Sequence, residues 1–162
     1  MKYTVSSGSL KVEARSRVHD TTTVWSKVTG DVDADPANLP AAKATFTVDM
    51  TAFDAGDWLK NKKLKSDFDL EKYPTATFTL TAVREVKSDG DKFTATAEGT
   101  LAWRGKTVVL ELRGSGTLSA MALEANATFE LDIRKLGMSA PRFLMFKMED
   151  VVTVAVTVRG AP

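Results

Sequence analysis

The sequence predicts an all-β fold, a single domain of long antiparallel strands with one short helix. Three observations carry that expectation. Apolar and polar residues alternate with a period of two over most of the 162-residue chain, short glycine-bearing links separate several of the alternating segments, and one interval trades the period for a run that reads as helix. No shift in composition marks a boundary, so residues 1–162 are expected to form one domain. At this size a core needs no disulfide or structural metal to hold it.

The first segment, residues 9–19, sets Leu10, Val12, Ala14, Ser16 and Val18 against Lys11, Glu13, Arg15, Arg17 and His19. That is a strand with one face buried. The pattern recurs at 24–33 (Val24, Val28 and Val32 against Lys27, Asp31 and Asp33), at 43–50 (Ala44, Phe46, Val48 and Met50) and at 76–86 (Ala76, Phe78, Leu80 and Ala82 against threonines). Five more segments follow at 92–103, 106–113, 117–125, 127–135 and 150–159. Thr29-Gly30 bends the second, and Pro36 and Pro40 mark the loop after it. Ser88-Asp89-Gly90-Asp91, Arg104-Gly105 and Arg113-Gly114-Ser115-Gly116 each read as a hairpin turn, and links so short join antiparallel neighbours.

Residues 51–74 carry no period of two, and within them Asp57 caps a short helix running to Ser66. Trp58, Leu59 and Leu64 are expected to dock this helix over one end or side of the strands. A second irregular interval, 137–149, holds Pro141 and the apolar run Phe143-Leu144-Met145-Phe146. This run is expected to plug the end of the strand assembly, to close over it as a lid, or to make a homodimer contact.

Composition excludes several chemistries. Lysine and arginine number 22 against 21 aspartate and glutamate, so a net charge of +1 sets up no field for polyanions and no nucleic acid partner is expected. Without cysteine there is no thiolate nucleophile, iron–sulfur cluster or thiolate zinc site. The longest apolar runs fall far short of the roughly 20 residues of a membrane-spanning helix, so no transmembrane segment is expected. The start, Met1-Lys2-Tyr3-Thr4-Val5, lacks the apolar run of a secretory signal. This reads as cytoplasmic for the chain as written, or periplasmic for a mature form.

His19 is the one histidine and reads as solvated at a strand end. Asp67, Asp69 and Glu71 offer a carboxylate pair or a calcium site but read as solvated turn residues ahead of Tyr73-Pro74. Lys60, Lys62, Lys63 and Lys65 read as the wet face of the helix, with lipid phosphates as the alternative contact. Gly114-Ser115-Gly116-Thr117 lacks the lysine and helix of a phosphate loop. No catalytic residue, metal ligand or cofactor is assigned, and the chain is not expected to be an enzyme.

The strands must hide their apolar faces, either between two stacked sheets or inside one sheet closed on itself. Small residues stand among the large ones on the inward parity: Ala14, Ser16, Ala44, Ala76, Ala82, Ala95, Ala97, Gly99 and Ala155. On a barrel wall they leave volume for a small ligand; between two sheets they interdigitate with phenylalanines into a dry core.

Residues 64–78 narrow the choice. Ser66-Asp67-Phe68-Asp69, then Lys72-Tyr73-Pro74 and a strand with Phe78 four residues beyond the proline, resemble the YceI-like family. Gly30 with Asp35-Pro36, Gly99-Thr100-Leu101 with Arg104-Gly105, Leu136-Gly137-Met138 and Glu149-Asp150-Val151-Val152 extend the resemblance over roughly residues 3–159. The chain departs from that family's pattern at Phe68-Asp69 in place of a double phenylalanine, at Lys63 where many members carry histidine, and at Lys106-Thr107-Val108 without a proline. The resemblance implies an extended antiparallel, lipocalin-like β-barrel of about eight strands whose lumen takes an amphiphilic or isoprenoid lipid, of polyisoprenoid or quinone type.

The function expected is therefore carriage of an elongated apolar ligand. Its expected lining is Val12, Ala14, Phe46, Val48, Phe78, Leu80, Ala97, Leu101, Leu110, Leu112, Met121, Leu123, Phe129, Leu131 and Val154, with Phe143 and Phe146 contributed by the irregular loop. The alternative is a non-catalytic interaction module with a packed core that self-associates through residues 143–146.

Overall fold

The computed structural model describes residues 1–16, 20–138, 142–143 and 146–162, and of residues 142, 143, 146 and 147 it describes the backbone. Twelve strands are found among them: β1 (Lys2–Ala14), β2 (Thr21–Trp25), β3 (Val28–Asp33), β4 (Lys43–Asp49), β5 (Phe53–Asp54), β6 (Thr75–Asp89), β7 (Lys92–Trp103), β8 (Lys106–Leu118), β9 (Leu123–Asp132), β10 (Arg142–Phe143), β11 (Phe146–Lys147) and β12 (Val151–Ala161). One α-helix, α1 (Trp58–Asp67), and two 3-10 turns, η1 (Leu39–Ala41) and η2 (Ile133–Leu136), complete the described elements. His19, Leu144 and Met145 lie outside the described residues.

Eight strands close into an antiparallel barrel in the order β12-β9-β8-β7-β6-β4-β3-β1, with β1 returning to β12. The edge of β1 opposite β12 is shared: Lys2–Val5 pair with β3 and Leu10–Ala14 with β2, and β5 extends the sheet from β2. Closure leaves no long unpaired edge and turns every apolar face toward one axis.

Turn chemistry fixes two hairpins where the sequence placed them. Arg104 (φ 57°) and Gly105 (φ 70°) both take positive φ between the paired residues Trp103 and Lys106, the signature of a two-residue type I′ turn. Gly90 (φ 61°) turns β6 into β7. The helix begins as expected, since the Asp57 carboxylate accepts from the Lys60 N–H at 2.8 Å. Leu64 is buried beneath it, but Trp58 and Leu59 are exposed, so they do not dock the helix.

Four expectations about strands are corrected. The first strand starts seven residues earlier than the alternation suggests. A bulge between Val5 and Ser7 switches the inward parity from Tyr3 and Val5 to Leu10, Val12 and Ala14, so one continuous strand reads as two patterns. Residues 24–33 are two strands broken at Ser26 and Lys27; β2 buries Thr21, Thr23 and Trp25 and leaves Val24 exposed. In β6 a register shift between Leu80 and Ala82 turns Ala82 outward, and Val83 takes the cavity side. In β12 the residues lining the interior are Val152, Val154, Val156 and Val158, which puts Ala155 on the other face.

The fifth correction is the largest. Arg113-Gly114-Ser115-Gly116 is no turn: β8 runs through it to Leu118, and the chain reverses at Ser119–Ala122, where the Ser119 hydroxyl accepts from the N–H groups of Met121 and Ala122 at 3.2 Å. No separate strand spans 117–125. The glycines instead admit close approach of the neighbouring strand, because a Cβ on Gly116 would run into the Glu124 carbonyl oxygen and lie 2.9 Å from the Ala125 Cα. Gly116→Ala is therefore expected to lower stability by about 1–3 kcal/mol, read as a shift in the urea unfolding midpoint at unchanged slope.

Candidate functional site: an apolar lumen

The barrel encloses an elongated cavity of about 340 Å3. Its lining reaches from Phe68, Trp103 and Leu136, near the Trp103–Lys106 hairpin, to Leu39, Leu118 and Leu123 at the opposite end of β8. Protein interiors pack at crystal-like density with few voids larger than a water, so a volume of this size has a specific cause. Ala95 of β7 pairs with Gly114 of β8, and Gly114 pairs with Ala127 of β9. Ala97 and Ala125 stand two residues along on the same faces, and all five border the cavity. Three adjacent strands thus present almost no side-chain volume at one level of the barrel, and the axis there stays unfilled.

The end beside α1 is closed by aromatic rings. Phe68, the residue that caps the helix, lies 5.9 Å from Trp25, 5.8 Å from Phe53 and 5.6 Å from Trp103 between ring centroids. Both indoles turn their N–H groups to backbone oxygens: Trp25 Nε1 donates to Met50 at 3.1 Å, and Trp103 Nε1 to Tyr73 at 2.9 Å. Arg104 ties the pieces together. Its guanidinium donates to the carbonyls of Phe68 (2.7 Å), Leu136 (3.3 Å) and Asp67 (3.4 Å) and lies 5.4 Å from the Tyr73 ring centroid. One side chain thereby joins the β7–β8 turn to the end of α1 and the end of η2.

Asp132 starts η2 by accepting from the Arg134 N–H at 3.1 Å, and hydrogen bonds from the Arg134 side chain are the main cause that holds its carboxyl down at about 2. At the other end of the barrel the Tyr3 hydroxyl donates to the Ser119 carbonyl at 2.7 Å, and burial, with Asp35 nearby, pushes its phenol up.

Among the residues that the sequence nominated, Val12, Ala14, Phe46, Val48, Phe78 and Leu80 border the cavity, as do Ala97, Leu101, Leu110, Leu112, Leu123, Phe129, Leu131 and Val154. Met121 does not: it stands in the Ser119–Ala122 turn, 82% exposed, because the strand it was assigned to does not exist. Phe143 and Phe146 pair through their backbones, and their side chains lie outside the description. The sequence missed Thr21, Thr23 and Trp25, which β2 turns inward, and Gly114. The run Thr21-Thr22-Thr23-Val24-Trp25 sets no polar parity against an apolar one, so alternation did not mark its inward face.

Among the described residues no lining residue carries a formal charge. Asp67, Asp69 and Glu71 are exposed outside the lumen, with Asp67 paired to Lys63 at 3.4 Å. Among the described residues no three histidine, aspartate or glutamate side chains converge as metal ligands, and no helix is long and apolar enough to cross a membrane.

Comparison with known proteins agrees with this architecture. The model of the YceI-like domain matches residues 3–159. A UPF0312 protein of Photorhabdus laumondii is 36% identical over 91 residues, covering 54% of this chain and 46% of that protein. Protein YceI of Escherichia coli O6:H1 is 38% identical over 86 residues, covering 52% and 44%. The aligned regions thus span a little under half the length of these curated relatives. Among solved structures, a polyisoprenoid-binding domain from Saccharophagus degradans, described as implicated in plant cell wall breakdown, superposes with a TM-score of 0.79 at 15% identity over 99% of this chain and 98% of that one. Burkholderia cenocepacia BcnA gives 0.74 at 23% identity over 93% and 95%.

Two outcomes follow from the closed end. Arg104→Ala is expected to cost about 2–3 kcal/mol by orphaning carbonyls that accept from a charged donor, with amide exchange rising first at Phe68 and Leu136. Asp132 has a folded pKa near 2, below the ordinary 3.8, so its contribution is complete above 3.8 and lost as pH falls through about 2. The stability difference between the native chain and Asp132→Asn should accordingly shrink across that acid window in thermal melts.

Proposed function

The chain belongs to the YceI-like domain family, and from that premise we propose that it binds the hydrocarbon chain of an elongated lipid, of polyisoprenoid or quinone type, in its lumen and carries it without transforming it. The observation that supports this most is the uncharged, elongated cavity, whose volume falls in the range of ligand sites. An unfilled space of about 340 Å3 forgoes the dispersion contacts that a filled core would make, a loss that grows with the volume left empty. A wall that keeps Ala95, Ala97, Gly114, Ala125 and Ala127 together at such cost is the wall of a container. An apolar guest offsets the cost, gaining roughly 25 cal/mol for each Å2 of surface it removes from water.

The likeness to the Saccharophagus degradans domain, described as polyisoprenoid-binding, supports the same reading at the level of the fold. A tail held by such walls is selected by length and girth, since an apolar pocket distinguishes one methylene by only about 1–3 kcal/mol.

Organic extraction of the purified protein followed by mass spectrometry is expected to release a lipid with a long isoprenoid chain. Ala97→Trp places an indole in the lumen and is expected to abolish that lipid while circular dichroism and melting still report a folded barrel; Ala97→Phe, a smaller plug, is expected to reduce it. Undiminished lipid in a folded Ala97→Trp protein would remove the lumen as the binding site.

A further inference from the structure

Strand β2 presents Thr21, Thr23 and Trp25 to the lumen, pairing Thr21 with Ala14 and Thr23 with Val12 of β1. Thr21 is 3% exposed, and its hydroxyl oxygen has no hydrogen-bond partner among the described residues. Among the described residues Thr21 Oγ1 is the fully buried side-chain polar atom left without a partner. Trp25 and Trp103 donate to backbone carbonyls, the Thr96 hydroxyl, on the outer face of β7, donates to Glu85 at 3.0 Å, and Thr23, 6% exposed, borders the same cavity beside Thr21. A buried hydroxyl left without a partner costs free energy, and valine would fill the same space with the same preference for a strand and no such cost. A polar group kept in an apolar wall against that gradient is a group with a partner that arrives from outside.

We propose that Thr21 forms a hydrogen-bonding subsite inside the lumen that takes an uncharged polar group, a hydroxyl or a carbonyl, of the bound lipid. The inference rests on the reading of the lumen as a lipid site and names the chemistry of the ligand's polar part. A threonine hydroxyl donates one hydrogen bond and accepts two, so it serves an alcohol or a carbonyl equally. It cannot serve a phosphate or a carboxylate at this depth. None of the described lining residues carries a charge, and an anion stripped of water among them would be uncompensated. A charged head therefore stays outside the barrel, and a neutral one is drawn in to Thr21.

The test uses the delipidated full chain and three probes with the same fifteen-carbon skeleton: farnesol, farnesene and farnesyl diphosphate. Farnesol is expected to bind more tightly than farnesene, and Thr21→Val to weaken farnesol about tenfold while leaving farnesene and farnesyl diphosphate unchanged. Thr21→Ser keeps a hydroxyl and is expected to retain the preference for farnesol. In the empty protein Thr21→Val raises the melting temperature, because it removes a hydroxyl that nothing satisfies. Equal effects of Thr21→Val on farnesol and farnesene, or none on farnesol, overturn the subsite while leaving the lumen as a lipid site. Failure of farnesene and farnesol alike to bind the native chain overturns the lumen reading, and the subsite with it.

Discussion

Closure of β1 against β12 is the constraint on which the rest of this structure depends. The two strands pair from Thr4 with Ala161 to Glu13 with Thr153, and the seam is tight enough that a Cβ on Gly8 would sit 2.6 Å from the Thr157 carbonyl oxygen. Once eight strands are closed, the circumference is set by backbone geometry and no longer adjusts to the side chains inside. An open sandwich with the same small inward residues would let its sheets settle together until contact was restored. A closed barrel cannot. Where β7, β8 and β9 offer Ala95, Gly114 and Ala127 in one row, the missing volume remains as space.

The same constraint explains where the rigidity lies. Strand pairing holds the walls, but the end beside α1 is made of pieces remote in sequence, and it is assembled by aromatic rings around Phe68 and by Arg104 reaching three carbonyls. The family motifs map onto that work. Tyr73 accepts from Trp103 and its ring lies beside Arg104, Pro74 accepts from Met50, and Gly105 permits the turn that places Arg104. These residues hold an end of the container in place; the wall residues around the space are unremarkable alanines and glycines that no short motif would capture.

Period-two alternation was enough to read an all-β class, and cap and turn chemistry to read the helix with its Asp57 cap and the β6–β7 and β7–β8 hairpins, because each is local; closure into a barrel came from the family resemblance. Bulges defeated it. An extra residue near Ser6 or Thr81 reverses which face is inward, and alternation read on either side of it assigns Ala82 to the wrong side. The glycines of β8 misled in a different way. Gly114-Ser115-Gly116 carries a stronger turn signal than Ser119-Ala120-Met121-Ala122, yet the first is needed for close strand approach and the second turns with a serine hydroxyl. Met121 was lost to the lumen and Gly114 gained for the same reason. Thr21 and Thr23 were overlooked because threonine alternating with threonine, valine and tryptophan shows no contrast in polarity from which to read a face.

The described residues of the lumen wall carry no formal charge, which bears on how a cargo of the kind proposed would leave. The contacts these residues offer are apolar or neutral, and such contacts do not change with proton uptake or ionic strength. Under the proposed carriage, release from this part of the wall would follow partition: the guest would depart when a larger oily phase or a better-fitting acceptor competes for it, and the direction of traffic would be set by the destination.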